Sequence, residues 1–193
     1  MRAPFEPLVP GAFHVANTNR YRCDLCAHAP ACTLSCADDI ERIELKVHSL
    51  VLELTGKKEP QDGLQAKFSV YHGCAAGLMV GKATEDEYHD AFVNRPDMVA
   101  LRRKVVAVVD DSIDEASADV TAVLKDGRRV HVFVKHAIGS LENPMTDAML
   151  EGKFHGLCDP VLGTAPSQRL IDAAWGLGQA ASLAGLAALA CPE

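Results

Sequence analysis

The stretch "DVTAVLKDGRRVHVFVKH" (119–136) constrains the fold of this chain more than any other. Two runs that alternate apolar and polar residues flank Asp126-Gly127. An Asp-Gly pair between two period-2 runs is the strongest short-range hairpin signal, because the glycine accepts the positive φ that a tight turn needs. Two further segments read as strands. In "DDIERIELKVHS" (38–49), Ile43, Leu45 and Val47 alternate with Glu44, Lys46 and His48, as a half-buried strand requires. "VVAVVDD" (105–111) is an unbroken apolar run suited to a buried strand.

The segments between and after these strands carry helical signals. "GLQAKFSVYHGCAAGLMVGK" (63–82) is rich in small residues and places Leu64, Phe68, Cys74, Ala75 and Leu78 at helical spacings. It reads as one tightly packed helix whose glycines permit close approach. "TEDEYHDAF" opens with Thr84 and has Glu87 three residues on, a capping-box signature for a short helix. "RPDMVALRRKV" gives another helix, with Pro96 in its first turn. After the loop "AIGSLENPM", Thr146 and Asp147 begin an amphipathic helix, and "APSQRLIDAAWGL" and an Ala-rich tail close the chain as helices. The sum is an α+β domain over roughly 19–160, a small and mainly antiparallel sheet covered by helices. An irregular arm (1–18) precedes it and a helical extension (161–193) follows it.

Composition narrows the class. A net charge of −7 removes the basic face that phosphate binding needs, so nucleic acid is not an expected partner. The basic runs "LRRKV" and "KDGRRV" are short and read as a solvated helix face and a hairpin end. Seven cysteines is an odd number, and "MRAPFEPLVP" lacks an apolar signal core, which favours a reducing cytoplasm. From Ala173 to Pro192 no residue is charged. This run has nearly the length of a membrane span, but its Ala, Gly, Gln179 and Ser182 transfer poorly to lipid. It reads as helix buried against other helices, with no membrane partner expected.

Four of the cysteines (Cys23, Cys26, Cys32 and Cys36) cluster with His28 in "YRCDLCAHAPACTLSC". The spacing C-x2-C-x5-C-x3-C gives neither two separated zinc knuckles nor a ferredoxin-type run. A four-thiolate or Cys3His site stays open as an alternative. Under it the chain would be a small cysteine-rich metal-binding or interaction module. One tightly held metal per purified chain would establish that reading, and substoichiometric zinc and iron is the expectation against it.

Three stretches together resemble the C-terminal part of the MmgE/PrpD family, which includes 2-methylcitrate dehydratase, cis-aconitate decarboxylase and iminodisuccinate epimerase. "GLQAKFSVYHGCAAGL" is similar to that family's "GLEAKFS" and the helix after it. "HAIGSLENPMTDAMLEGKF" resembles its "GSPENPMSDAELEAKF", and in "YRCDLCAH" Tyr21, Cys23 and His28 fit its aromatic, small residue or Cys, then His. The resemblance runs over about 19–175.

The resemblance implies a lid-type domain whose final helices return to a large helical domain that this chain does not encode. Such a chain either joins a helical-domain subunit encoded elsewhere or is a remnant, and is not expected to turn over substrate alone; a rival reading is a homo-oligomer formed through the apolar tail. The implied chemistry is proton abstraction next to a carboxylate on small di- and tricarboxylic acids, followed by dehydration, decarboxylation or epimerisation. No metal or organic cofactor is implied. Carried over by position, His72 takes the place of the lid's catalytic Tyr or His, where an imidazole could transfer a proton near neutral pH. The alternative is a helix histidine bonded to backbone. Tyr71 beside it reads as packing. His28 matches the family's His after the aromatic and is a candidate substrate-binding residue, with a surface or helix-capping role as the alternative. Asn19 stands where the family commonly has Lys, and Arg20 beside it would supply the cation for substrate binding. The segment between His28 and the first strand is shorter than the resemblance leads one to expect.

Overall fold

The computed structural model describes residues 38–180 and 182–191. Arg20, His28, the Cys23–Cys36 cluster and the N-terminal arm lie outside the described residues. The chain divides into two compact units, one ending at Pro144 and the other beginning at Met145.

The first unit is built on a four-stranded sheet in the order β2-β1-β3-β4. Its strands are β1 (Ile40–Val47), β2 (Val105–Val109), β3 (Ala118–Leu124) and β4 (Arg129–Val134). β1 pairs antiparallel with β3 and β3 with β4, while β1 and β2 run parallel. The sheet is therefore mixed, with antiparallel pairing in the majority. A parallel pair needs a long crossover, and the helical segment between β1 and β2 supplies it.

The β3–β4 hairpin turns where Asp126-Gly127 predicts. Gly127 has φ 86°, its N–H donates to Leu124 O at 2.9 Å, and the Asp126 carboxylate accepts from Arg128 N at 2.9 Å. In β1 the inward set is Ile43, Leu45 and Val47, as the alternation predicts, with Ile40 buried too. Ile40 and Ile43 are three apart, and a register shift between Ile40 and Arg42 lets both face the core. β2 departs from the expectation of a buried strand. It is an edge strand, buried at Val105 but exposed at Val106, Val108 and Val109. A continuous Val run fits a strand covered on both faces, but pairing on one side only leaves these valines open.

The crossover contains α1 (Ser49–Thr55), α2 (Gly63–Ala66), α3 (Val70–Val80), a 3-10 turn (Glu85–Tyr88), α4 (Asp90–Val93) and α5 (Pro96–Arg102). The single helix expected over 63–82 is two helices. Ser69 ends the first segment and caps the second, accepting from His72 N at 3.1 Å, and it pairs with Gly56 in a β-bridge. Serine competes well for that cap position, which is why the break falls there. Leu64 and Phe68 are consequently 70% and 55% exposed rather than inward. α1 carries no cap or breaker strong enough to announce it in sequence.

α3 is the centre of the unit. All of its residues from Val70 to Met79 are buried, so it is apolar on every side, as a helix enclosed by other elements must be. It packs against α5 and β2, and Cys74, Ala75, Leu78 and Met79 join Ile43, Leu45, Val47, Val120, Met98 and Leu101 in one core. Each large aliphatic side chain so enclosed contributes roughly 1.5–3 kcal/mol.

The second unit contains α6 (Asp147–Leu162) and α7 (Thr164–Trp175), which pack on each other, then a short 3-10 turn (Leu177–Gln179) and α8 (Ala184–Leu189). Thr146 caps α6 by accepting from Met149 N at 3.3 Å. Gly163, at φ 86°, separates the two long helices, and Trp175 Nε1 of α7 donates to Glu151 of α6 at 2.8 Å. The uncharged tail is broken into short pieces. Among the described residues no helix is long and apolar enough to cross a membrane.

Candidate functional site

His72 lies in the first turn of α3, placed there by the Ser69 cap. Its side chain has no exposed surface. Nε2 is 2.8 Å from the carbonyl oxygen of Glu87, and Nδ1 is 3.4 Å from Arg102 Nη1. The ring meets Tyr88 edge-on at 5.2 Å and Phe92 at 6.3 Å between centroids. The 3-10 turn, α4 and α5 thus enclose the imidazole that α3 presents. Burial holds its pKa below the ordinary 6.5; the Glu87 carbonyl opposes this and the Arg102 charge adds to it. The ring is neutral at physiological pH.

Arg102 is the second member of the cluster. It is 2% exposed, donates from Nη1 to Val93 O at 3.2 Å, and lies 3.9 Å from the Glu59 carboxylate. Its Nε has no hydrogen-bond partner. A buried guanidinium is costly unless paired, so this residue is held for what it touches. Reading "LRRKV" as a solvated helix face is therefore corrected at this position. Arg103 is exposed and bonds Glu59 at 3.0 Å, but Arg102 turns inward. The signal was present in the sequence. Met98, Leu101 and Arg102 are spaced i, i+3, i+4 on α5 and so share its core-facing stripe.

Glu87 closes the cluster on the other side. Its carboxylate accepts from both the N–H and the hydroxyl of Thr84 at 2.8 Å each, and lies 3.2 Å from Lys82 Nζ. This capping box fixes the turn whose carbonyl meets His72. Tyr88, edge-on to the imidazole, has its phenol pushed up to about 12 by burial and by the Glu87 charge. Tyr71, the neighbour of His72 on α3, is buried in the core, the packing position read for it. Gly63 at the head of α2 permits the backbone to pass Tyr88. A Cβ there would overlap the Tyr88 carbonyl oxygen, and the Gly63 N–H donates to Asp90 at 2.7 Å.

The cluster thus joins one neutral imidazole, one buried cation and a buried carboxylate on the adjoining turn. Arg102 and the Glu87 carbonyl reach His72 from 30 and 15 residues away in sequence, so no local motif announces them. Among the described residues, no group of three or more His, Cys, Asp or Glu side chains is placed to hold a metal ion.

Residues 21–179 match the model of the MmgE/PrpD C-terminal domain. Cis-aconitate decarboxylase of Mus musculus is 26% identical over 130 residues, which is 65% of this chain and 26% of that protein. The chain spans about a quarter of the length of this curated relative. With its α+β sheet unit and the family match over most of its length, the chain belongs to the MmgE/PrpD family, as a C-terminal domain.

Proposed function

We propose that this chain is the C-terminal domain of a lyase or isomerase acting on small di- or tricarboxylic acids, by proton abstraction next to a carboxylate and then dehydration, decarboxylation or epimerisation. The observation that carries the reading is the family match over 21–179, joined by a cis-aconitate decarboxylase of which the chain covers only 26%. In this reading Arg20 and His28 bind the carboxylates of the reacting acid, and His72 meets that acid only when the turn of Glu87 and Tyr88 that encloses its ring moves aside. The described residues alone supply no complete set of base, carboxylate clamp and closed cleft. A helical-domain subunit would supply the rest, packing on the helices of 161–193, with cytoplasmic chemistry that uses no cofactor.

Exposed apolar side chains support a missing partner. Leu150, Leu157, Val161, Trp175, Leu177 and Leu183 of the second unit are all exposed. So many open apolar groups on a short helical segment favour a covering surface. The test is co-expression with a helical-domain polypeptide of this family, followed by assays on methylcitrate, cis-aconitate and related acids. Turnover by the complex and none by the chain alone is expected. Turnover by the pure chain would overturn the need for a partner, and a complex inert on all such acids would overturn the reaction class.

A further inference from the structure

We infer that Arg102 is a positioning residue that acts with the Glu87 carbonyl on His72, holding the imidazole neutral with its proton on Nε2. A guanidinium can donate and cannot accept, so the atom 3.4 Å from Arg102 Nη1, His72 Nδ1, must be the ring's acceptor. A carbonyl oxygen can accept and cannot donate, so the atom 2.8 Å from Glu87 O, His72 Nε2, must carry the proton. Both constraints select the same tautomer and exclude the imidazolium, whose Nδ1–H would face the guanidinium.

The arrangement is anchored from outside the ring. Arg102 Nη1 also donates to Val93 O at 3.2 Å, which leaves that nitrogen no freedom to turn away, and Glu59 lies 3.9 Å from Nη2. The Glu87 carbonyl is held by the capping box of Thr84. The charged and titratable groups around the imidazole are Arg102 from α5, Glu87 and Tyr88 from the 3-10 turn and, through Arg102, Glu59.

The inference deepens the proposed function in one respect and rests on it only there. Held in this form, His72 offers no base, because Nδ1 accepts from Arg102, and its one ring proton is already given to the Glu87 carbonyl in a fully buried site. Proton removal from carbon then falls to a group of the helical domain.

The test is long-range proton–nitrogen NMR of the full chain labelled with 15N, with His72 assigned by its loss in His72→Gln. At pH 7.5 the Nε2–H form should exceed the other tautomer by about tenfold or more, as a charged donor on Nδ1 requires. The titration midpoint of the ring should lie below that of a free histidine. In Arg102→Met the titration midpoint should rise, because Nδ1 is freed to take a proton, while the Glu87 carbonyl keeps the proton on Nε2; Arg102→Lys, which keeps a cationic donor, should restore the wild-type midpoint. A neutral ring protonated on Nδ1 in the wild type, a midpoint at or above that of a free histidine, or an unchanged midpoint in Arg102→Met would each overturn the inference. If the Met variant does not fold, Arg102→Lys decides, and the Nδ1–H form there would overturn it. A complex inert on every acid but with this spectrum would overturn the reaction class and leave the tautomer assignment standing.

Discussion

The carboxylate of Glu87 accepts two hydrogen bonds from Thr84, one from its N–H and one from its hydroxyl, both at 2.8 Å. The same residue's carbonyl oxygen accepts from His72, so a local cap and a long-range contact share one turn. Replacing Thr84 by Ala removes the hydroxyl alone and should cost about 1 kcal/mol. Replacing Glu87 by Ala also strips Lys82 of its buried partner and releases the turn, and should cost roughly 2–3 kcal/mol. Urea denaturation of the two variants checks the order. Equal losses would mean that the cap does not hold the His72 carbonyl contact.

Stability should fall as the solution is acidified through the histidine range. Burial depresses the pKa of folded His72 below the 6.5 of the free group, so the unfolded chain binds the proton first. The contribution is fully present above pH 6.5 and is lost as pH falls from 6.5 toward the folded value, with a limiting slope of about 1.4 kcal/mol per pH unit. His155 runs the other way. Hydrogen bonds from its ring to Asp159 and Gln168 raise its pKa, so its contribution is present below 6.5 and fades as pH rises. His72→Gln, which retains a donor for Glu87 and an acceptor for Arg102, should flatten the acid loss between pH 7 and 5. An equally steep profile in that variant would place the loss elsewhere.

The hairpin turn should be intolerant of a side chain for reasons of backbone alone. Gly127 sits at φ 86°, yet nothing lies within 4 Å of the position a Cβ would take. Gly127→Ala should therefore cost about 1–2 kcal/mol from the left-handed conformation, with no clash to relieve. Gly63→Ala is the contrast, because there the added carbon meets the Tyr88 carbonyl oxygen and the backbone must move. It should be the more damaging of the two in a thermal melt. The reverse order would show that the approach of α2 to Tyr88 is loose.

How much of this was legible in the sequence depends on the range of the interaction. The hairpin, the alternation of β1, the Thr84–Glu87 cap and the Pro96 start of α5 are local patterns, and each appears where the sequence puts it. The break at Ser69 was missed because Leu64, Phe68 and Cys74 also fit one continuous helical stripe, and only the cap and the bridge to Gly56 decide against it. β2 reads as enclosed in sequence because a valine run does not reveal how many neighbours its strand has. The partners of His72 were illegible for a related reason. Arg102 reads as one of two equal basic residues until α5 is seen to roll it inward beside Met98 and Leu101.

Thiol reactivity should separate the described cysteines sharply. Cys74 has no exposed surface, and burial pushes its thiol up to about 12, so it carries almost no thiolate at pH 8. Cys191 is exposed and Cys158 partly so. Brief treatment with iodoacetamide followed by peptide mass mapping should modify Cys191 first, Cys158 next, and Cys74 only after denaturant is added. Modification of Cys74 in the native chain at the rate of Cys191 would show that α3 opens readily, which its fully buried position does not allow.

The single tryptophan of the chain reports on the proposed partner surface. Trp175 is 58% exposed, its Nε1 is tied to Glu151, and exposed Leu177 follows it. Water around an indole lowers its excited-state energy, so the isolated chain should emit at long wavelength and be quenched readily by acrylamide. A helical domain that covers this segment removes that water, and the emission should shift to the blue with protection from the quencher. Trp175→Ala should weaken assembly severalfold or more, because a large aromatic at the centre of a covered apolar patch carries a disproportionate share of the binding energy. Binding without a spectral change, and with Trp175→Ala as tight as wild type, would move the partner's footprint to the sheet unit. There the open valines of β2 offer one exposed apolar surface among the described residues.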